Sequence, residues 1–546
     1  MIRRILERID GRGYKAYKDL AGAREEVDGH LVVVDRVQGD PFAPPSIIRV
    51  ETRVRIPRGL ESYPVPVEDF LLRRAHRIAG RYSMRGAGEG HSGLLRVPRP
   101  GPVILRRSAV HLGKTPGGYR LTLRLWLGLP SRRRRVLGGV AGELLLERVP
   151  RLVDEVVRAL GDPRLRPHVD AWREQEYIRG LLEPRGLVSF VGDGSILPRA
   201  CGGCEEPLRD AVPFESPPSL RVEFELPTGR VVSGMGLRTG LTLIAGPAFY
   251  GKTTLLEAIA HGVWNHVPGD GRELVVTRRD AVWIQSENGR WVSCVDMGPW
   301  VEHLPGLEDP GCWSTSDASG ATSAIASVQE AMEAGAKVLL IDEDWTATNF
   351  IHRDRWTEEV TGKRTLLSIS DLAPALKEKG VSVVIVASGS IALLQAADTV
   401  VVMDEYRARD ATGYALKARE SLAALDGGER VEYRMPRGRR LVKPLRLEKP
   451  KLRGTLLEAR NLRDRVDLSG ATQLEEEGQA STVVAGAEAV LSKTGPLVSL
   501  ARSVADAMAR GDWGVVQRTP GPGLAEVRWL DILYLVNRVP GLHVVH

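Results

Sequence analysis

The apolar positions of this chain change period along its length, and each change marks an element. Residues 241–244 form an apolar run that stops at a glycine, and the helix-forming Thr254-Leu-Leu-Glu-Ala258 follows, so a strand, a loop and a helix are expected in that order. Residues 338–341 are an unbroken apolar run that ends in acids, and 381–386 is apolar but for Ser382, as in strands buried on both faces. Further strands are expected at 188–191, 220–226, 273–276, 281–285 and 291–295. A helix is expected from about 320 to 334. Nearer the start, residues 2–12 suggest a helix, then a turn, a second helix, a strand at 31–34 and an alternating strand at 47–56. Residues 103–104 and 119–127 also look like strands. Residues 144–182 carry helical spacing through Leu144, Leu145, Val149, Leu152, Val156 and Leu160. The tail reads as mostly helical, clearest at 485–491, 497–509 and 526–538. The pattern divides the chain into a basic α+β domain at 1–182, an α/β domain at 183–421, and a basic linker with a mostly helical domain at 422–546. There is no internal repeat and no heptad run long enough for a coiled-coil arm.

Composition narrows the classes. At 546 residues, 43% hydrophobic and 27% charged, this is an ordinary soluble globular composition. No apolar run approaches the roughly 20 residues of a membrane span, and the first residues lack the continuous apolar core of a secretory leader. A cytoplasmic protein is expected. Cys201 and Cys204 form one C-x-x-C with no second pair and no histidine pattern to complete a metal site, so free thiols are expected there and at Cys294 and Cys312.

Charge is distributed unevenly around a net of +7. Between residues 72 and 135 the arginines, among them Arg106, Arg107, Arg120, Arg124, Arg132, Arg133, Arg134 and Arg135, face a single acid, Glu89. Such a stretch can bind phosphate oxygens of a nucleic acid, with Tyr119 and Trp126 able to stack on bases; a solvated basic face is the plainer alternative. The glycine-rich 86–93 within it reads as a flexible loop without the lysine and helix of a phosphate-binding loop. A second basic run from 434 to 453 adds Arg437, Arg439 and Arg440 as candidate backbone contacts, or as a solvated linker.

The sharpest chemistry lies at Gly246-Pro247-Ala248-Phe249-Tyr250-Gly251-Lys252-Thr253-Thr254, a G-x-x-x-x-G-K-T motif in its strand–loop–helix context. Glycines let backbone N–H groups wrap phosphates, Lys252 reaches the β- and γ-phosphates, and the Thr253 hydroxyl ligates Mg²⁺. The apolar strand ending in Asp342-Glu343 supplies the second landmark: Asp342 for the Mg²⁺ shell, Glu343 to polarise an attacking water. Ser319-Gly320 opens a helix and offers a hydroxyl, N–H groups and a positive dipole end to an anion, or merely caps the helix. Phe224 stands about where an aromatic residue stacks on adenine in such domains, although a buried strand phenylalanine explains it as well.

With these motifs in place the chain resembles the ATPases of the ABC class, a family that includes a trypanosome mitochondrial RNA-binding-complex subunit linked to RNA editing. The resemblance runs through Asp35-Arg-Val-Gln-Gly-Asp-Pro-Phe-Ala43, Gly194-Ser-Ile-Leu-Pro-Arg199, Asn265-His-Val-Pro-Gly-Asp-Gly-Arg272, Asp317-Ala-Ser-Gly320 and Ile341-Asp-Glu-Asp344, and covers nearly the whole chain. It implies a P-loop NTPase of ABC type with a doubly wound α/β sheet, binding ATP and Mg²⁺. It implies that Ser319 and Gly320 are the signature that completes a partner's ATP site in a head-to-tail homodimer. Asp344, Thr346, Ala347, Thr348 and Asn349 match the D-loop that contacts the second subunit, and Asp296 falls near the position of the Q-loop glutamine. The family's switch segment is Ser388-Gly-Ser390 here, where transporters carry histidine; either serine can hydrogen-bond phosphate but neither accepts a proton at neutral pH. Slow hydrolysis is therefore expected. The short span from 297 to 313 leaves little room for the subdomain that docks transporters onto membrane partners. An ATP-gated nucleic-acid clamp, RNA favoured over DNA, is the expected function. An ATP-dependent assembly module with negligible turnover competes with it, and a small-molecule phosphotransferase is a third alternative.

Overall fold

The computed structural model describes residues 1–301, 309–352, 360, 365–422 and 431–546. The chain divides into two compact units. One comprises Met1–Trp172, Glu476–Thr482 and Asp506–Glu526, the other Arg173–Glu475, Val483–Ala505 and Val527–His546. Where the sequence suggests three consecutive parts, residues beyond 422 are thus shared between two units.

The first unit is built on an antiparallel sheet of β1 (Arg24–Val27), β2 (His30–Arg36), β3 (Ser46–Val54), β4 (Leu95–Arg96), β5 (Val110–Thr115) and β6 (Gly118–Leu127). Its order is β1-β2-β3-β6-β4, with β5 also paired to β6. Alternation along β6 sends Leu121, Leu123, Leu125 and Leu127 into the core, leaving Arg120, Arg124 and Trp126 on the other face. The core face is covered by α1 (Ile2–Ile9), α2 (Pro64–Tyr82), α3 (Gly138–Glu143) and α4 (Val149–Arg158), whose Leu6, Leu71, Ala75, Leu152 and Val156 join the same cluster. The second expected helix is a 3₁₀ turn, Tyr14–Leu20, and Val103 and Ile104 lie in a buried connection with no regular strand. After β6 a tight hairpin pairs β7 (Ser131–Arg132) with β8 (Arg135–Val136). The helical stretch expected from 144 to 182 opens with the wide turn Leu144–Arg148, which joins α3 to α4, and is broken after α4 by a 3₁₀ turn, Ala159–Gly161, before α5 (Leu165–Leu182).

In the second unit the strands are β9 (Leu187–Gly192), β10 (Arg221–Glu225), β11 (Val231–Arg238), β12 (Leu241–Ala245), β13 (Val275–Thr277), β14 (Ala281–Ile284), β15 (Val292–Val295), β16 (Trp313–Thr315), β17 (Val338–Asp342), β18 (Ser382–Val386), β19 (Thr399–Asp404) and β20 (Arg407–Asp410). One sheet has the order β14-β17-β18-β12-β19-β20, parallel except for its last strand. A second, antiparallel sheet runs β10-β11-β9-β13. The mostly apolar sequences of β12, β17 and β18, almost entirely buried, fit the two-sided burial of a parallel sheet. Register sets Ile244, Val386 and Asp342 level across β12, β18 and β17, so the loops leaving their carboxyl ends meet at one edge. Helix α6 (Lys252–His261) follows β12, and α7 (Gly320–Glu333) precedes β17.

The four cysteines depart from expectation: Cys201 pairs with Cys204, and Cys294 with Cys312. The first pair lies 5.0 Å apart at Cα, well within reach of a bridge. Phe224 is fully buried, edge-on to Phe190 at 5.0 Å, and is a core residue. The last helix is Trp529–Val536, shorter than expected because Arg528 closes its start as a cap, its N–H donating to Asp531 at 2.8 Å. Of the span from 297 to 313, residues 302–308 lie outside the described residues. No described helix is long and apolar enough to cross a membrane.

Candidate nucleotide site

β12 ends in a turn that only glycine fits. Gly246 has φ +134°, and a Cβ there would lie 2.3 Å from the Met403 carbonyl oxygen. The loop closes at Gly251, φ +91°, which starts α6 with no side-chain cap. The first turn, bearing Lys252, Thr253 and Thr254, thus offers its N–H groups and positive dipole end to an anion. Lys252 Nζ donates to the carbonyls of Gly246 (2.8 Å) and Pro247 (2.9 Å), which keeps the ammonium folded into the loop. Thr253 Oγ1 donates to Asp342 Oδ2 at 2.8 Å, bridging the ends of β12 and β17. These groups fit phosphates and a hard cation: Thr253 and Asp342 would hold Mg²⁺ with oxygen donors, and Lys252 would face the phosphate chain.

Asp342 is completely buried. Burial pushes its carboxyl above the usual range and the charges of Asp344 and Glu343 add to this, while hydrogen bonds from the Asp344 N–H (3.0 Å) and Thr253 oppose it. Glu343, at the rim, accepts from both the hydroxyl and the N–H of Ser388. Ser390 is used differently. It caps the helix Ile391–Ala396, its Oγ accepting from the Leu393 N–H at 3.4 Å.

The loop tip, Pro247-Ala248-Phe249, is exposed, with Phe249 95% exposed and held at φ +67°. Tyr250 meets Tyr406 edge-on at 6.5 Å, and Tyr406 sits so close to Gly251 that a Cβ there would be 3.4 Å from its ring. This aromatic rim was not anticipated, because Tyr406 comes from the β19–β20 turn, far along the chain.

Ser319 caps α7, its Oγ accepting from the Thr322 N–H at 3.4 Å, and remains exposed. Gly320 packs against two segments: a Cβ there would be 3.2 Å from Asn288 Oδ1 and 3.5 Å from the Ala347 Cβ. The Ala347 N–H donates to Ser286 at 2.8 Å. Asp344, Thr348 and Asn349 are exposed beside this contact, and Thr346 is buried. The structure therefore joins Ser319-Gly320 to the segment from Asp344 to Asn349 within one chain.

Asp296 does not belong to this edge. It follows β15, in a separate two-stranded sheet, and is buried with its carboxylate on Arg434 (2.8 Å) and the Gly298 N–H (3.0 Å). A carboxylate so committed is not free for a nucleotide. The residue that topology places beside the acids is Gln285, next after β14, whose Ile284 is level with Ile341 of β17. In sequence it is a polar Gln-Ser pair that closes an apolar strand, which reads as no more than the strand's end.

The candidate polyanion contacts separate by burial. Arg107 is 3% exposed, donating to Asp69 and, at 2.7 Å, to Glu476. Arg106 is buried on Glu68 (3.0 Å), and Arg439 on Glu333 (2.7 Å) and Asn537 (2.9 Å). Arg124 turns inward to the Ser108 carbonyl at 2.8 Å. These four are not surface cations, because acids and carbonyls distant in sequence neutralise or ligate them. Tyr119 is a core residue whose hydroxyl donates to the Glu61 carbonyl at 3.0 Å, and Trp126 lies under the Arg96 guanidinium at 4.7 Å and against Gly523. Arg120, Arg132, Arg133, Arg134, Arg135, Arg437 and Arg440 are exposed. Arg133 and Arg134 form the hairpin tip at φ +50° and +55°, unusual for non-glycine residues, with the Arg134 N–H on Glu89. The glycine loop is not loose either: a Cβ on Gly88 would lie 2.0 Å from the Ser131 carbonyl oxygen, so it packs against this hairpin.

Residues 162–433 match the family described as the P-loop domain of the ABC ATPases, and residues 1–160 match the N-terminal domain of ATPases of the ABC class. An uncharacterized protein of Methanocaldococcus jannaschii is 30% identical over 249 residues, 43% of this chain and 54% of that protein, so the chain spans about half the length of the curated relative it matches. Among solved structures, cbiO1 of Clostridium perfringens, part of an ABC transporter complex, is 16% identical (44% of this chain, 92% of that one, TM-score 0.25). The ADP-bound cassette of an ABC transporter is 12% identical (44% and 99%, TM-score 0.26). The two family matches, meeting near residue 160 and carrying the P-loop and acidic strand described above, show that this chain belongs to the ATPases of the ABC class.

Proposed function

We propose that the protein binds and slowly hydrolyses Mg-ATP at composite sites of a head-to-tail homodimer and uses closure of that dimer to clamp nucleic acid, RNA in preference to DNA. The observation that carries the reading is the Thr253–Asp342 hydrogen bond, which sets Lys252, the cation-binding oxygens and Glu343 around one loop. Lys252 leaves the Gly246 and Pro247 carbonyls for the phosphates, and Tyr406 offers a face to the base. Glu343 orients the attacking water and takes its proton. Magnesium would neutralise phosphate charge as the γ-phosphoryl departs. Ser319 and Gly320 of a second copy would supply a hydroxyl and N–H groups on the far side of the γ-phosphate. Exposed apolar side chains at this edge, Phe249, Trp345 (59% exposed) and Ile391 (67% exposed), suit a surface that a second copy covers.

Nucleic acid is assigned to the exposed arginine hairpin. Replacing Arg132, Arg133, Arg134 and Arg135 by alanine is expected to weaken binding of any RNA or DNA and to flatten the dependence of log K on log salt by up to about 3 units. Fluorescence anisotropy at several salt concentrations measures both. Unchanged binding by a folded quadruple variant would remove the hairpin from the account.

One observation favours a second reading. Ser388 occupies Glu343 with two hydrogen bonds and is not a proton acceptor, which suits an assembly module where ATP holds the dimer and turnover is negligible. Wild-type protein that dimerises with ATP but releases no phosphate over many hours would select it.

A further inference from the structure

Beside the arginine hairpin stands a residue that the functional reading leaves unused. Phe42 is 63% exposed, in the loop Val37-Gln-Gly-Asp-Pro-Phe-Ala43. A lone exposed phenylalanine needs no explanation, but this one is fixed in place on three sides. Asp40 ties it to the hairpin: Oδ1 accepts from the Phe42 N–H at 3.1 Å, and Oδ2 lies 3.6 Å from the Arg134 guanidinium. Gln38 anchors the start of the loop, buried, with its side-chain carbonyl accepting from the Leu129 N–H at 3.1 Å. Underneath runs the glycine loop. The His91 N–H donates to the Pro41 carbonyl at 2.9 Å, and a Cβ on Gly90 would lie 2.4 Å from that same oxygen and 3.1 Å from the Phe42 ring. Gly90 therefore lets the backbone approach close to the Cδ1 side of the ring, while most of the Phe42 side chain stays open to solvent.

We infer that Phe42 is a stacking platform for an unpaired base, and that the partner of this surface is single-stranded nucleic acid whose phosphates lie on Arg132, Arg133 and Arg134. The inference rests on the nucleic-acid reading above and narrows it. A duplex keeps its bases stacked on one another and offers such a ring nothing, whereas a single strand can splay a base onto it. The arginines supply the complement for the backbone. Two of them hold a left-handed conformation at the tip, with the Arg134 N–H donating to Glu89 and its guanidinium 3.6 Å from Asp40. Stacking tolerates any base, so the surface selects strandedness over sequence.

The test measures binding of the full chain to a fluorescent 15-nucleotide single strand and to a blunt duplex of the same sequence, at two salt concentrations. Phe42→Ala is expected to weaken single-strand binding about tenfold, within the usual range for one stacked base, and to leave duplex binding and the salt slope unchanged. Phe42→Trp should restore the single-strand affinity, which a merely structural role would not do. The quadruple arginine variant should lose both ligands and part of the salt slope. If wild type binds the single strand and Phe42→Ala matches it, the platform is wrong while the nucleic-acid reading stands. If wild type binds neither polymer, that reading itself fails. A Phe42→Ala protein that loses single strand and duplex equally, unrescued by tryptophan, would make Phe42 a support for the hairpin and overturn the platform.

Discussion

Replacing Glu343 by glutamine is expected to lower ATP turnover about 10²- to 10⁴-fold, the usual contribution of a positioned general base, and to leave ATP binding within a few-fold of wild type. Glu343 follows directly on β17, so the sheet fixes its position beside Asp342 while its side chain stays at the rim. Glutamine keeps the shape and the acceptor oxygen that Ser388 now uses, but cannot take a proton from water. The proposed anchors of the nucleotide, Lys252, Thr253 and the turn of α6, are untouched. With bridging intact and hydrolysis blocked, the variant should accumulate as an ATP-bound dimer, read by light scattering, whereas wild type returns to monomer as ATP is consumed. Turnover in the variant within a few-fold of wild type would show that Glu343 is not the base.

The second large effect falls on stability. Arg107→Ala is expected to destabilise the first unit by about 3–5 kcal/mol, because it leaves two buried carboxylates without their shared cation. Asp69 lies on α2 with no exposed side-chain surface, and Glu476 is 8% exposed. Arg107 spans both, donating from Nε to Glu476 at 2.8 Å and from Nη1 to Asp69. Burial alone would lower the guanidinium from its usual value, though not enough to deprotonate it, and burial alone would raise the Asp69 carboxyl. Glu476 and Asp69 outweigh the first effect, and Arg73, Arg107 and His168 outweigh the second, so the arginine is held above its usual value and the aspartate well below. The sign for pH follows. An aspartate depressed in the folded state binds its proton first in the unfolded chain, so its contribution is whole above the ordinary carboxylate range, about pH 4, and is lost as pH falls further. A melting temperature lowered by about 10 °C at neutral pH, with the gap from wild type narrowing below pH 4, is the calorimetric signature. Arg120→Ala, at an exposed pair 3.7 Å from Glu51, should shift it by no more than about 1–2 °C. Equal shifts for the two variants would contradict the buried network.

What could be read in advance follows from how local each constraint is. The phosphate loop is legible because its chemistry requires a fixed spacing inside nine consecutive residues, Gly246 to Thr254. The acids were legible because an apolar strand has one carboxyl end. Ser319-Gly320 could be placed at a helix start, though not against Ala347 and Asn288, which packing alone brings there. The arginines misled for the opposite reason. Counted along the chain from 72 to 135 they face one acid, yet Arg107 is neutralised by Glu476, hundreds of residues away, and Arg439 by Glu333. Position along the chain likewise put Asp296 near the Q-loop, whereas strand order, which sequence does not give, sets the segment after β14 beside β17. Motif spacing carries no information on whether Cys294 and Cys312 meet across β15 and β16. Phe42 gave no signal of its own. Its meaning comes from the Arg134 and Gly90 contacts beneath and beside it.

The central claim is that ATP turnover and nucleic-acid binding belong to one cycle. The direct measurement is phosphate release by the full chain in Mg-ATP, with and without single-stranded RNA, single-stranded DNA and duplexes, at low and high salt. The account predicts slow basal turnover that single-stranded RNA stimulates most, with the stimulation fading as salt rises. Turnover indifferent to every polymer at both salt concentrations would contradict it, and would return the arginine hairpin to a solvated face.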